Sequence, residues 1–163
     1  MKEGIFFAKE FERNGVIFYL EKGMRAENII TKKLFYTLAK QEIEHLEAIE
    51  NFIISGRYDT YRDNVKEVEF EIKKFFESLE EKDRLEKQLE VYSMALNMEK
   101  HGYSQYEKFY NEAVNEKEKK FFKFLMGEER KHIEALVNVY SYISETDDWF
   151  HKEESRVWNW MNL

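Results

Sequence analysis

Two sets of residues with the chemistry of metal ligands occur in this chain at one spacing. The first set is Glu12, Gly15, Tyr19, Glu42 and His45; the second is Glu99, Gly102, Tyr106, Glu129 and His132. Each member of the second set lies 87 positions (99 − 12) after its counterpart. Each half therefore holds a Glu-x-x-Gly-x-x-x-Tyr segment followed by a Glu-x-x-His segment. On a helix, residues i and i+3 lie about 60° apart around the axis and roughly 4.5 Å apart along it. Glu42 with His45, and Glu129 with His132, can therefore point inward together. With Glu12 and Glu99 they make four carboxylates and two imidazoles, the donor set of a two-metal site inside a helical bundle.

The expected arrangement gives each metal a terminal Glu and a His, with Glu42 and Glu129 bridging. Spacing leaves open which terminal Glu shares a metal with which His. Four ionised carboxylates buried together are costly without compensation, and two divalent cations neutralise them. Oxygen and imidazole donors suit iron or manganese, and zinc can also occupy such a site; iron is the expected metal. Ions about 3.5–4 Å apart can together hold one dioxygen or peroxide. A lone Glu-x-x-His is ordinary in a Glu-rich helix; two copies in one register, each preceded by the same segment, are not.

Other residues of the repeat have two readings each. Tyr19 and Tyr106 either pack in the core or hydrogen-bond a ligand carboxylate. Gly15 and Gly102 stand inside helices, where glycine costs roughly 1 kcal/mol relative to alanine. They serve close helix packing or leave space for an oxidant beside the metals. Gln41 and Glu128 precede the bridging carboxylates and either hydrogen-bond a ligand histidine or face solvent. His101 and His151 fit no pattern and read as surface residues.

The elements that must position these residues are helices. Ile5, Phe6, Ala8, Phe11, Gly15, Phe18 and Tyr19 recur at helical spacing over about 3–24. A second helix is predicted over about 28–54, capped by Asn28. Leu34, Leu38, Ile43, Leu46, Ile49 and Ile53 are placed on its buried side. Further helices are predicted over about 83–113 and 115–144. Between them, Ser55 to Asp59 reads as a stop, and 60–80 as a connection with at least one short helix. The distance from Glu to the Glu-x-x-His histidine is 33 in both halves (45 − 12), whereas His45 and Glu99 are 54 apart (99 − 45). Each half is thus a helical hairpin, and the longer link suits a crossover along the bundle. The expected fold is all-α: a ferritin-like antiparallel four-helix bundle of two duplicated hairpins. The bundle is assigned to 1–144, with the crossover at about 56–82. Residues 145–163 form a short C-terminal extension, whose Trp149, Phe150, Trp158 and Trp160 should dock on the bundle or on a partner subunit.

Composition narrows the function. A net charge of −7 argues against nucleic acid as a partner. The chain has no cysteine, which excludes a disulfide, a thiolate nucleophile and a cysteine-bound iron centre. It has no proline, in keeping with long helices. No apolar run approaches the roughly 18 residues of a membrane span, and the start lacks signal-peptide architecture. A cytoplasmic location with no membrane partner is the expectation.

Over about residues 3–144 the chain resembles the rubrerythrin and ferritin-like di-iron carboxylate family. The resemblance rests on Glu12 to Tyr19, Glu42-Ile43-Glu44-His45, Glu99 to Tyr106 and Glu129-Arg130-Lys131-His132. It implies a bundle that is dimeric or larger, here a homodimer, and reduction of peroxide or dioxygen at a di-iron centre. Glu12, Glu42, His45, Glu99, Glu129 and His132 would hold the metals, and Tyr19 and Tyr106 would orient them. Rubrerythrins proper carry a rubredoxin centre; this cysteine-free chain would draw electrons from a separate donor protein. Their additional third-helix Glu has no counterpart, since Leu96 stands three residues before Glu99. The haem-binding Met of bacterioferritin is replaced by Ile43, so no haem is expected. The reading is a peroxide-reducing di-iron oxidoreductase. Its alternatives are a ferroxidase that stores iron and a non-enzymatic metal-binding module.

Overall fold

The computed structural model describes residues 2–27, 29–58 and 89–144. Among these the chain forms four helices: α1 (Lys2–Arg25), α2 (Ile29–Ser55), α3 (Leu89–Glu112) and α4 (Glu116–Ser144). Their bounds lie within about two residues of those predicted, except that the predicted start of the third helix, 83–88, lies outside the described residues. The absence of proline leaves every helix interior free of its usual breaker, and caps mark the end of α2 and the start of α4. Gly56, at φ 67°, takes the left-handed conformation after α2, and its N–H bonds Phe52 O at 2.9 Å. Asn115 caps α4: its side chain accepts from Lys117 N at 2.8 Å, while its carbonyl accepts from Lys119 N. Glu116 and Glu118 place negative charge on that positive helix end. The predicted Asn28 cap, the connection at 60–80, the C-terminal extension with its tryptophans, and His151 lie outside the described residues.

Helices α1 and α2 pack as one hairpin, and α3 and α4 as another. Side-chain contacts fix how the hairpins meet. Tyr92, early in α3, donates to Thr31, early in α2, at 3.0 Å. Phe121, early in α4, stacks on Phe52, late in α2, with ring centroids 4.1 Å apart. The chain therefore leaves α2 at one end of the bundle and enters α3 at the other, as a long crossover requires. The result is an antiparallel four-helix bundle.

The repeat in the sequence is a repeat in burial. Ala8 and Ala95, Phe35 and Phe122, Leu38 and Leu125, and Ala48 and Ala135 are equivalent pairs, and all are buried. Two apolar clusters form the core. One gathers Leu34, Phe35, Leu38, Tyr92 and Ile133; the other gathers Ala8, Ile49, Phe52, Phe121, Phe122 and Leu125. The buried side of α2 differs from the prediction. Ile43 and Ile53 are exposed, and Phe35, Ala39, Ala48 and Phe52 are inside instead. At 100° per residue, an α2 that turns Glu42 and His45 inward must turn Ile43 away. Phe6 of α1 is likewise exposed, because Ala8 and Glu12 set the inward face.

Candidate metal centre

Six ionisable side chains meet in the layer between the two clusters. Glu12, Glu42, His45, Glu99, Glu129 and His132 are all buried, none more than 3% exposed. Glu12 comes from α1 and Glu99 from α3, while α2 and α4 each contribute a Glu and a His three residues apart. His45 Nδ1 lies 3.0 Å from Glu12 Oε2 and 3.3 Å from Glu42 Oε2. His132 Nδ1 lies 3.1 Å from Glu42 Oε1 and 3.5 Å from Glu99 Oε2. Of the two terminal carboxylates, Glu12 stands with His45 and Glu99 with His132. Each oxygen of Glu42 faces a different imidazole, as a bridging carboxylate must. The imidazoles stack with centroids 5.2 Å apart.

Two overlapping donor groups result. Glu12, Glu42, His45 and Glu129 each bring a ligand atom within 4.8 Å of the others, and so do Glu42, Glu99 and His132. Several of these atoms have no hydrogen bond: Glu99 Oε2, both oxygens of Glu129, and His132 Nδ1, whose approach to Glu42 lacks hydrogen-bond alignment. Buried polar atoms without partners are costly. Oxygen and imidazole donors left free in one place fit a pair of cations.

Tyrosines tie the centre across the bundle. Tyr19 of α1 donates to Glu99 Oε1, and Tyr106 of α3 donates to Glu12 Oε1. Each hydroxyl occupies one carboxylate oxygen and leaves Oε2 beside the imidazole. Burial, and then the charge of the carboxylate each one faces, holds both phenols well above their usual pKa, so they act as donors. The glycines make room for the other carboxylates. A Cβ at Gly15 would stand 3.1 Å from Glu42 Cδ, and one at Gly102 would stand 3.3 Å from Glu129 Cδ and 2.4 Å from Phe11 Cε1. The space beside these glycines is thus filled by protein atoms.

The outer nitrogens of the imidazoles have partners too. His132 Nε2 lies 2.8 Å from Gln41 Oε1. His45 Nε2 lies 3.8 Å from Glu128 Oε2, a charge contact beyond hydrogen-bond length. Lys131, which the sequence reading passed over, bonds Glu128 at 3.0 Å; its i+3 spacing from Glu128 was the available signal. His101 is exposed and packs edgewise on Phe7.

Without metal, protons balance the charge. Burial raises Glu42 to about 7, aided by the Glu12 charge, and raises Glu129 well above the carboxylate range, aided by Glu99. Burial also disfavours charge on Glu12, but His45 and the hydrogen bonds around it prevail and bring Glu12 to about 2. Glu99 is lowered in the same way by His132. Burial opposes the imidazolium form, yet Glu12 holds His45 well above its usual value, and Glu99 with Glu42 holds His132 at about 10. Burial and mutual charge thus push the pKa values of the carboxyls apart, Glu12 and Glu99 toward the ionised form and Glu42 and Glu129 toward the protonated form.

An antiparallel four-helix bundle with a buried carboxylate and imidazole layer defines a ferritin-like protein built to bind metal. The family model described as Rubrerythrin matches residues 7–140, and the chain belongs to the rubrerythrin family. No curated protein and no solved structure matches it. No helix among the described residues is long and apolar enough to cross a membrane.

Proposed function

We propose that this chain is a di-iron oxidoreductase that reduces hydrogen peroxide, drawing electrons from a separate donor protein. The observation that carries the reading is the pair of donor groups joined by Glu42, with free carboxylate oxygens left in the layer. Glu12 and His45 would hold one ion and Glu99 and His132 the other, with Glu42 and Glu129 shared. A pair of iron ions held there would supply the two electrons that, with two protons, convert peroxide to water.

The protein's part is positioning and exclusion. Tyr19 and Tyr106 hold Glu99 and Glu12 by one oxygen each and keep the other oxygen turned to the imidazole. Gly15 and Gly102 let Glu42 and Glu129 lie against α1 and α3. The layer is buried between two apolar clusters that include Leu38 and Phe35 on one side and Leu125 and Phe122 on the other, and low exposure to water strengthens electrostatic interactions inside it. The reductant comes from outside because a cysteine-free chain cannot hold a rubredoxin centre.

The test is stopped-flow oxidation of the Fe(II)-loaded protein by stoichiometric hydrogen peroxide and, separately, by dioxygen. Peroxide is expected to oxidise the protein faster. Oxidation no faster than with dioxygen overturns the peroxidase reading. A glutamine variant of Glu42 and Glu129 is expected to lose both metal binding and the reaction.

A further inference from the structure

The internal repeat breaks beside the metal centre. Gln41 and Glu128 are equivalent positions, 87 apart (128 − 41), and each stands behind an imidazole. Behind His132 is a neutral amide, with Gln41 Oε1 at 2.8 Å from Nε2. Behind His45 is a carboxylate, with Glu128 Oε2 at 3.8 Å from Nε2. The donor groups are unequal in the same sense. Four side chains, Glu12, Glu42, His45 and Glu129, already converge around His45, whereas three, Glu42, Glu99 and His132, converge around His132.

We propose that the two metal positions of this chain are unequal: the Glu12–His45 position fills first and holds its ion more tightly, and the Glu128/Gln41 difference sets that order. The inference rests on the two-metal reading above. A negative charge beyond the ring attracts a cation at the opposite nitrogen through its field. Gln41 orients His132 through a good hydrogen bond but adds no net charge. Lys131 offsets part of the Glu128 charge, with Nζ 3.0 and 3.1 Å from its two oxygens. The lysine side chain is 35% exposed, against 18% for Glu128 and 4% for His45, so water screens the ammonium more than the carboxylate. The more complete donor group adds to the preference, because less rearrangement is needed to complete its coordination. A chain built this way passes through a one-metal state and can take two different metals in a defined order.

The test is titration of the metal-free full chain with Co2+, followed by calorimetry and visible absorption, in the native protein and in the E128Q and Q41E variants. Native protein should bind in two resolved steps. E128Q should weaken the first step by roughly tenfold, through the loss of one partly screened negative charge near the cation. Q41E should tighten the second step and draw the two together. Circular dichroism shows that each variant keeps its helices, and Q41E tests the idea alone if E128Q does not. An effect of E128Q on the second step alone, or no effect of either variant, overturns the inference. No tight binding by the native protein overturns the two-metal reading itself, and this inference with it.

Discussion

Gly15 lies against the Glu42 carboxylate, so that a Cβ added there would stand 3.1 Å from Glu42 Cδ and 3.2 Å from its Cγ. The contact is with the middle of a buried side chain, which has little room to give. Gly15→Ala should therefore act on the metal centre more than on the fold. The helix gains roughly 1 kcal/mol from alanine, which offsets the crowding. Metal-free stability should stay within about 1 kcal/mol of native. Metal affinity should fall roughly tenfold or more, as it does when ligand orientation is disturbed. Urea unfolding and Zn2+ calorimetry measure the two, and native affinity in the variant would refute the account. Gly102→Ala meets the Phe11 ring at 2.4 Å and should cost about 1–3 kcal/mol in stability as well.

The crossed tyrosines give a second prediction. Removing the Tyr106 hydroxyl leaves Glu12 Oε1 buried without its donor, and removing that of Tyr19 does the same to Glu99 Oε1. A hydrogen bond to a charged group is worth about 1.5–3 kcal/mol. Tyr106→Phe and Tyr19→Phe should each destabilise the metal-free protein by roughly that amount and should also change metal affinity. Tyr92→Phe is the control. Tyr92 belongs to the apolar cluster and its hydroxyl bonds Thr31 at the start of α2, not a ligand carboxylate, so the change should cost about 1 kcal/mol and leave metal affinity unchanged. Equal effects on affinity from all three variants would show that the tyrosines act only through packing.

Most of the centre could be read from residue order, because ligand types at a constant offset survive any change in detail. The hairpins and the long link followed from distances between Glu12, His45 and Glu99. What could not be read depends on contacts between helices. The pairing of Glu12 with His45 required knowing that α1 and α3 run in opposite directions, which Tyr19–Glu99 and Tyr106–Glu12 show. The glycines were legible as breaches of helix propensity, but their purpose was not, since the atoms that fill the space come from Glu42, Glu129 and Phe11. Ile43 and Ile53 were misplaced because hydrophobic periodicity counts apolar residues, whereas in α2 the inward face is held by Glu42 and His45.

Asn115 offers a prediction remote from the metals. Its side chain satisfies Lys117 N at the start of α4, in a position exposed to solvent. Asn115→Ala should cost about 1 kcal/mol, the usual value of such a cap. The loss should appear as a lower urea midpoint with an unchanged denaturant slope. Metal affinity should be unaltered, and a change in it would mean that the α3–α4 turn governs the centre.

The proton balance of the centre predicts opposite pH dependences with and without metal. Glu42, Glu129, His45 and His132 all have raised pKa values in the folded protein. Each adds stability that is full below its unfolded value and is lost as pH rises through its folded value. For Glu42 that loss runs from about 4.5 through about 7, and for His132 from about 6.5 through about 10. Glu12 and Glu99 are lowered, so their contribution is full above about 4.5 and fails only in stronger acid. Metal-free protein should therefore be more stable at pH 5 than at pH 7.5, by roughly 1–3 kcal/mol given about 1.4 kcal/mol per pKa unit. Bound cations displace these protons, and their affinity grows as the ligands ionise. Protein saturated with Zn2+ should accordingly be more stable at pH 7.5 than at pH 5. Urea midpoints at the two pH values, with chelator and with Zn2+, decide the matter. A metal-free protein whose stability is flat or rises between pH 5 and 7.5 would mean that the four carboxylates do not converge in solution.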